Sequence, residues 1–298
     1  MVYLIDASVY VFRAWFSVPD DMVDGDGNPT NALYGFTKFL ADFLEYVGPD
    51  QVAVAFDESL AISYRNEIYP EYKANREPAP PELDRQFKQC RRMAAALGLR
   101  EAASNEYEAD DIIGTLAHDA RGHGVPCTIM SRDKDLTQLL SPVDTFWDFA
   151  NNKKLGYEDI PEVFGVYPEQ IADLLALAGD SVDNIPGVPG VGRKTAAALL
   201  RHFGSLDVLY ANLDRVCDVA VRGASKLGQK LEMHREIAHV SRALTIIPTD
   251  VPLKFDATSL HRKSPDLGHL NALCDEAGFG PSFRRQGERL SDQLEVIG

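Results

Sequence analysis

Hydrophobic and polar positions in the first half of the chain follow two alternating patterns. Short apolar runs predict buried β-strands at VYLID (2–6), QVAVAFD (51–57), PCTIMSRD (126–133) and DTFWDF (144–149). Between them, apolar residues recur every three or four positions, which predicts helices over about 31–47, 82–97 and 109–121. Strands that alternate with helices predict an α/β fold, in which helices flank a mostly parallel central sheet.

The pattern changes in the second half of the chain. From about residue 158 the strand signal ends, and short helical stretches broken by Gly and Pro follow. The polar, turn-like stretch ANNKKLGYED marks the change. We therefore predict an α/β core over 1–157, a helical region over 158–255, and a C-terminal cap or tail over 256–298 to which the sequence assigns no role.

Composition narrows the class of protein. The chain has 298 residues, 45% of them hydrophobic and 25% charged, which are ordinary values for a globular protein. No apolar run approaches the roughly 20 residues that a membrane-spanning helix needs. The N-terminus lacks the basic start of a signal peptide. We expect a cytoplasmic protein with no membrane partner.

The four cysteines are isolated and far apart in sequence, with no CxxC pair: Cys90, Cys127, Cys217 and Cys274. Two disulfides could form from them in an oxidising compartment. Free thiols in a reducing cytosol fit their spacing better.

Three aspartates close strand-like apolar runs. Asp6, Asp57 and Asp133 each stand at such a point. Because the carboxyl ends of parallel strands share one edge of an open sheet, where ligands bind in a crevice, we expect these carboxylates to converge.

Further acids cluster in the stretches EYEADDIIG, SRDKD and GDSVDN. Glu108 and Asp111 are three residues apart and therefore share a helix face, and Asp110 neighbours them in the first turn. The full candidate set contains nine acids: Asp6, Asp57, Glu108, Asp110, Asp111, Asp133, Asp135, Asp180 and Asp183.

Nine carboxylates without interleaved His or Cys favour Mg²⁺ or Mn²⁺ over zinc. The set is too large for one ion and suits two or more ions, with the outer carboxylates acting through water. Two metals about 4 Å apart can activate a water molecule and stabilise the leaving oxygen of a phosphodiester. A single Asp after a strand is more often a helix cap, and a lone acidic pair is usually solvated surface. The coincidence of several clusters favours the metal site.

A glycine-rich turn predicts a backbone grip on phosphate. In GVPGVGRKTAAALLRHFG, three glycines precede an Ala/Leu helix, and the helix IADLLALAGD comes before the turn, so the segment predicts a helix–hairpin–helix. Amide groups at such a helix N-terminus hold a phosphate without reading bases. A tight connection without a ligand is the alternative. The candidate residues are Gly187, Gly190, Gly192, Lys194 and Thr195.

Basic and aromatic residues alternate in YRNEIYPEYKANREPAPPE, directly after Asp57. Basic groups attract phosphates, and tyrosine rings can stack on unpaired bases. A solvated loop with ordinary surface tyrosines is the alternative. The residues concerned are Tyr64, Arg65, Tyr69, Tyr72, Lys73 and Arg76.

Taken together, these motifs resemble the 5′-nuclease family, which comprises the nuclease domain of bacterial DNA polymerase I, phage 5′-exonucleases and flap endonucleases. LIDASVYVFRAWFS is similar to the family's opening strand, although Ala7 replaces the usual Gly. AVAFD, EYKANR, YEADD, SRDKDLTQLL and GDSVDNIPGVPGVGRKTA follow in the family's order over roughly residues 1 to 255.

The resemblance implies a PIN-like nuclease core with a helical arch at about 58–82 and a helix–hairpin–helix that grips duplex DNA. It implies that the nine acids bind metal, with Asp133 and Asp135 essential to catalysis. Lys73 and Arg76 would contact the scissile phosphate, Tyr72 the displaced strand, and Arg13 and Arg65 the DNA. A potassium ion in the hairpin, held by backbone carbonyls near 187–192, is also implied.

The implied partner is DNA with 5′ flaps, 5′ overhangs or nicks, cut in the 5′-to-3′ direction for replication and repair. We expect a monomer that is free-standing, because 298 residues leave no room for a polymerase domain. The net charge of −15 argues against a nucleic-acid partner, and excess acid remains even without the nine candidates. A related ribonuclease and a non-cleaving protein that binds branched DNA remain as alternatives.

Overall fold

The computed structural model describes residues 1–58 and 63–295, and the chain forms two compact units. The first unit contains Met1–Leu60, Ala79–Arg132 and Thr249–Gly298. The second contains Ala61–Pro78 and Asp133–Pro248. The predicted boundary at 157/158 therefore lies inside the second unit, and the predicted C-terminal cap belongs to the first.

The first unit is built on parallel strands in the spatial order β3-β2-β1-β4. Asp6 pairs with Ala55 and Asp57 pairs with Ser104, so Asp57 extends two residues beyond Asp6 at the carboxyl edge. The strands are β1 (Val2–Asp6), β2 (Gln51–Asp57), β3 (Arg100–Ser104) and β4 (Cys127–Met130).

Helices cover this sheet, and two of them begin at predicted site acids. Asp6 is the N-cap of α1 (Ala7–Ser17). Glu108 is the N-cap of α5 (Ala109–Gly122), where it forms a capping box with Asp111. The helices of the first unit are α1 (Ala7–Ser17), α2 (Asn31–Val47), α4 (Pro81–Ala96), α5 (Ala109–Gly122), α12 (Leu267–Glu276) and α13 (Ser282–Glu295).

Helices α1 and α2 cross closely at Gly35. A Cβ atom at this position would lie 2.6 Å from the Cβ of Ala14, so only glycine fits without movement. The Asn31 side chain, at the start of α2, donates to the carbonyls of Trp15 and Val18 at the end of α1. These contacts fix the helix that follows Asp6.

The C-terminal region packs on the first unit. Its extended stretch pairs with the start of β2, where Val52 N–H donates to Leu260 O at 2.9 Å and Arg262 N–H donates to Asp50 O at 2.7 Å. Beyond it, α12 packs on α4, and α13 packs on α2. The region predicted as a cap or tail is therefore part of this unit's architecture.

The second unit is mostly helical and contains one antiparallel hairpin. Its elements are α3 (Arg65–Ile68), β5 (Thr145–Asp148), β6 (Lys153–Gly156), α6 (Ile160–Phe164), α7 (Ile171–Ala178), α8 (Arg193–Phe203), α9 (Leu206–Ala211), α10 (Ala224–Met233) and α11 (Arg235–Thr245). A 3₁₀ helix, Lys134–Leu139, follows Asp133.

A charged network joins three helices of the second unit. The buried carboxylate of Asp173 on α7 accepts the backbone N–H of Leu206, which begins α9, at 2.8 Å. Arg242 on α11 lies 2.8 Å from Asp173 and 2.8 Å from Asp207. One guanidinium therefore holds α7, α9 and α11 together.

The predicted α/β class with a parallel sheet is confirmed, and so are the predicted helices over 31–47, 82–97 and 109–121. The pattern missed α1, β3 and β6. All four cysteines are free, as expected, and only Cys217 is exposed. Within residues 1–58 and 63–295, no helix combines the length and apolar character needed to cross a bilayer.

Replacing Gly35 with Ala should destabilise the first unit. The added methyl group meets Ala14, and such overpacking costs about 1–3 kcal/mol of unfolding free energy. Urea denaturation measures the change. Gly122→Ala is the matched control, because nothing lies within 4 Å of its added Cβ. Combining Gly35→Ala with Ala14→Gly should restore part of the loss. Equal stability of Gly35→Ala and Gly122→Ala would contradict the close crossing.

Candidate metal and nucleic-acid site

Two buried hydroxyls orient the acids at the carboxyl edge of the first unit. Asp6 accepts the Ser131 hydroxyl at 2.7 Å and is only 3% exposed. Asp57 accepts the Ser8 hydroxyl at 2.5 Å and the backbone N–H of Ala109 at 2.8 Å. Asp57 thereby joins the first turns of α1 and α5. Asp6 and Asp57 end neighbouring parallel strands at the same edge of the sheet.

The start of α5 carries three of the predicted acids. The backbone N–H of Glu108 donates to Asp111 Oδ2 at 2.9 Å, which is one half of the capping box. Asp111 is fully buried, whereas Glu108 and Asp110 are half-buried. The positive end of the α5 dipole stabilises these charges. Asp111 is therefore a structural cap in this unit, and Glu108 and Asp110 are the more accessible donors.

Four acids of the second unit repel one another. Asp133 caps the 3₁₀ helix by accepting the backbone N–H of Asp135 at 2.9 Å. Burial, together with the charges of Asp133, Asp180 and Asp183, raises the pKa of Asp135 to about 7. Asp133 keeps a solvent-exposed face, yet the surrounding protein atoms and Asp183 still raise its pKa. The basic side chains near these four acids therefore do not fully compensate the burial and mutual repulsion of Asp133 and Asp135.

Asp183 lies next to two basic side chains of the second unit. Arg76 lies 2.5 Å from Asp183 Oδ1, and the Lys73 ammonium lies 3.9 Å from Oδ2. The Tyr72 hydroxyl donates to Oδ2 at 3.4 Å. Two side chains predicted to contact phosphate therefore lie beside a predicted metal ligand.

The structure corrects the role predicted for Arg65. Its side chain is 2% exposed, and it donates to the carbonyls of Leu244 at 2.9 Å and Ile246 at 3.3 Å. These carbonyls lie at the C-terminus of α11, where unpaired acceptors and the helix dipole favour a cation. Arg65 is a helix cap and is not available to DNA.

Tyr72 also differs from its prediction. The ring is 4% exposed and packs in a cluster with Ile185 and Leu244, so it cannot stack on a base of a displaced strand. Tyr69 packs partly against the same cluster. The alternation of basic and aromatic residues that suggested a stacking surface here forms a small core.

The predicted helical arch at 58–82 is only partly helical in the residues described. Ser59, Leu60, Ala61 and Ile62 lie outside the described residues. From residue 63 to residue 80, the helical element is the single turn α3, and turns follow over 70–75. We call residues 63–78 the basic segment.

The glycine-rich turn connects α7 to α8, as predicted. Gly187 has φ +60°, and a Cβ there would lie 2.3 Å from Gly179 N, so this glycine serves packing. Gly192 is the N-cap of α8 with open space around it, and Lys194 is exposed in the first turn. Thr195 is half-buried next to it. The start of α8 has the donors and the access that a phosphate requires.

Three side chains that contact the site acids were not predicted from the sequence. Ser8 and Ser131 orient Asp57 and Asp6, and Arg193 lies 3.5 Å from Asp180. Each lies within three residues of a predicted site residue, in the stretches DAS, SRD and GRKT. Their polar character next to the predicted acids and glycines is the sequence feature from which they could have been found. Arg13, which was predicted, lies exposed on α1.

Across residues 1–58 and 63–295, no three His, Cys, Asp or Glu side chains already form a closed metal-binding group. The carboxylates instead accept hydrogen bonds from hydroxyls and helix N-termini or form ion pairs with basic side chains. The arrangement provides carboxylate oxygens in both units. In the second unit the raised pKa of Asp135 shows that its ionised form would be stabilised by a nearby cation.

Family models match nearly the whole folded chain. The 5′-3′ exonuclease N-terminal resolvase-like domain matches residues 1–165, and the 5′-3′ exonuclease C-terminal SAM fold matches residues 166–268. The chain belongs to the 5′-3′ exonuclease family. It is a nuclease by family, that is, a hydrolase that acts on DNA. The two models meet eight residues beyond the predicted boundary at 157/158.

Curated relatives of this nuclease are bacterial DNA polymerases. DNA polymerase I of Bacillus caldotenax is 39% identical over 98% of the chain, and that of Pseudomonas aeruginosa is 40% identical over 93%. The chain spans only 33% and 30% of the lengths of these two proteins.

Solved structures share the fold at lower sequence identity. The bacteriophage T5 5′-exonuclease with bound zinc is 20% identical, with a TM-score of 0.66, over 100% of this chain and 99% of that one. A bacteriophage T5 flap endonuclease in complex with DNA and metal ions is 21% identical, with a TM-score of 0.65, over 98% and 99%. These likenesses establish the fold of the nuclease.

Replacing Asp135 with Asn should stabilise the metal-free protein. Asp135 has a raised pKa, so the folded state holds a proton that the unfolded state releases above pH 4. The stabilising effect of that proton is complete below pH 4 and is lost as pH rises through about 7. At pH 8 the substitution should add about 2 kcal/mol, since water still screens part of the charge.

Urea denaturation in chelator at pH 4 and pH 8 measures this difference. The variant and the wild type should be similar at pH 4 and diverge at pH 8. Equal stability at both values would show that Asp135 is not electrostatically strained.

Replacing Arg65 with Met should reduce the stability of the fold but leave the electrostatic part of DNA binding unchanged. Two carbonyls at the end of α11 lose a charged donor, which costs about 1–3 kcal/mol. The salt dependence of duplex affinity should not change. Lys194→Met is the matched control, for which we expect unchanged stability and a salt slope lower by about one. A lower slope for Arg65→Met would restore its predicted contact with DNA.

Proposed function

We propose that this chain is a structure-specific nuclease that removes 5′ flaps and 5′-terminal nucleotides from DNA with the help of Mg²⁺ or Mn²⁺. The observation that carries the proposal is the cluster of Asp133, Asp135, Asp180 and Asp183, in which Lys73 and Arg76 lie beside Asp183, within a chain that belongs to the 5′-3′ exonuclease family. In this arrangement, carboxylates that can bind cations lie close to basic side chains that can bind a phosphate.

The residues present fit divalent cations of the magnesium type. The donors are carboxylate oxygens without interleaved thiol or imidazole groups, which suits hard cations. Burial and the charges of neighbouring acids raise the pKa of Asp135, and a bound cation would stabilise its ionised form against both effects. When bound, such ions activate water and neutralise charge on the phosphate. The proposed ligands are Asp6, Asp57, Glu108, Asp110, Asp133, Asp135, Asp180 and Asp183. Asp111, which sequence analysis placed among the ligands, would support Glu108 through the capping box.

The hairpin fits a potassium ion less well. The Lys230 ammonium lies so close to Gly190 that a Cβ there would be 2.9 Å from it. A second cation at this position would meet that charge. The carbonyls of Val188 and Gly192 already accept backbone N–H groups. Potassium remains a prediction from the family resemblance, and no step of the proposed reaction depends on it.

DNA would be held mainly through its backbone. The amides and basic side chains at the start of α8 suit a duplex phosphate, and they need no particular base. Lys73 and Arg76 suit the scissile phosphate, since both charges stabilise negative charge that develops during hydrolysis. The terminal nucleotides must unpair to reach these groups, which costs a few kcal/mol. Metal-bound and DNA-bound relatives with the same fold support this assignment.

The relatives support a biological role. The matching proteins are DNA polymerases, so we propose that the nuclease removes primers or flaps during replication and repair in the bacterial cytoplasm. It would act as a monomer on flaps, overhangs and nicks.

Cleavage of a labelled double-flap DNA by pure protein, with Mg²⁺ and with EDTA, tests the proposal. We expect release of the 5′ flap near the junction only with metal. The double variant Asp133→Ala, Asp135→Ala should cut on the order of 10³-fold more slowly because metal catalysis supplies several kcal/mol. Its DNA affinity in EDTA should remain.

The matched control is Glu158→Ala, Glu162→Ala, which removes two exposed charges from the same unit. This control should cut at the wild-type rate. Wild-type cleavage by the Asp133 and Asp135 variant would remove these residues from the site. Tight junction binding without cleavage by the wild type would indicate a branched-DNA binding protein, and faster cleavage of an RNA flap would indicate a ribonuclease.

A further inference from the structure

Two asparagines in the signature motifs have no assigned role. Asn75 stands in EYKANR, two residues after Lys73, and Asn184 stands in GDSVDNIPG, directly after Asp183. The asparagine side chain is uncharged, so neither residue can replace a basic group that binds phosphate or a carboxylate that binds metal. Both lie in the second unit, at the place where the basic segment meets the acidic loop 180–184.

The basic segment and the acidic loop are joined by a ladder of three hydrogen bonds. The Asn184 side-chain amide donates to Glu71 O at 2.6 Å, and the Asn75 side-chain amide donates to Ser181 O at 2.9 Å. Between them, Lys73 N–H donates to the carbonyl of Asp183 at 3.0 Å. The partners run in opposite directions along the two segments, so the ladder sets one register.

The backbone at this ladder adopts an unusual conformation. Lys73 and Asn184 both have φ +56°, in the left-handed region. Asparagine tolerates this conformation better than most residues, whereas lysine does not favour it. The surrounding contacts must therefore hold Lys73 in place, and strain of this kind is concentrated at functional positions.

We propose that Asn75 and Asn184 are positioning residues, which hold Lys73 and Arg76 in register with the loop that carries Asp180 and Asp183. The inference rests on the proposed function of these four residues. It adds that the amide ladder, rather than the ion pairs to Asp183, keeps the basic segment docked when the carboxylates are engaged by metal.

The physical reason is a competition for Asp183. A divalent cation on this carboxylate weakens its attraction for Arg76 and Lys73, because like charges then face one another. Uncharged amide-to-carbonyl hydrogen bonds do not depend on that charge. With the ladder intact, metal and basic segment can both stay near Asp183. Without it, metal should loosen Lys73 and Arg76, which follow the packed Tyr72 in the segment.

Two single variants test the ladder, and a third serves as their control. Asn184→Gly removes the amide but keeps a residue that accepts positive φ, and Asn75→Ala removes the other amide. Asn152→Gly is the matched control, since Asn152 also has positive φ (+49°) and lies in the same unit, at a turn after a 3₁₀ helix. Thermal unfolding and circular dichroism establish that each variant is folded.

The first measurement is trypsin cleavage after Lys73 and Arg76 of the DNA-free protein, with EDTA or with Mg²⁺. We expect cleavage about tenfold faster in Asn184→Gly and Asn75→Ala, because proteolysis follows the population of the open segment. Mg²⁺ should accelerate it further in these variants but not in the wild type or Asn152→Gly.

The second measurement separates binding from chemistry. With saturating double-flap DNA, the single-turnover rate of both variants should fall by about 10²-fold, since small displacements of catalytic groups have effects of this size. The dissociation constant in EDTA should stay within about twofold, because the hairpin grips the duplex. Asn152→Gly should match the wild type in both.

Several results would overturn the inference. Proteolysis and single-turnover rates equal to those of Asn152→Gly would do so, and so would lower thermal stability with an unchanged rate, which indicates a purely structural role. If Asn184→Gly does not fold, Asn75→Ala decides. If the wild type does not cut flap DNA, the proposed function fails, and the trypsin measurement alone still decides whether the ladder docks the segment.

Discussion

The central constraint on this molecule is that closely spaced carboxylates each need a hydrogen-bond donor or a positive charge. In the first unit, backbone amides and hydroxyls meet that need. Asp6 begins α1, Glu108 and Asp111 cap α5, and Asp57 joins the starts of both helices. The same contacts that hold the acids therefore decide where two helices begin, so the fold of this unit and its candidate ligands have a common origin.

The second unit meets the constraint only in part. Asp183 has Lys73 and Arg76 beside it, but burial and the neighbouring acids raise the pKa of Asp135. Ionising Asp135 in these surroundings lowers the stability of the metal-free fold and increases the free energy gained when a cation binds. A protein that only needed stability would replace such a group, so the strain itself favours a functional role for Asp135.

Sequence patterns predicted the long helices and the strands that carry Asp6 and Asp57, because their periodicity reflects burial on one face or both. They missed α1, whose residues are apolar on several sides, and β3, whose stretch REAAS has little apolar signal. They also misjudged Arg65 and Tyr72. Both belong to a motif rich in basic and aromatic residues, and only the tertiary packing against α11 and Ile185 shows that they are buried. Burial of this kind has no local signature.

An acidic chain can bind DNA if it relies on dipoles more than on net charge. The net charge of −15 argues against binding only when phosphate contacts come from scattered Lys and Arg. Here the start of α8 offers backbone amides, with Arg193 and Lys194 beside them, while many acids are committed to helix caps or paired with nearby donors. The field that a phosphate meets at short range depends on these local groups, because salt screens the rest within about 8 Å. Local arrangement, not total charge, therefore decides whether this nuclease can hold its substrate.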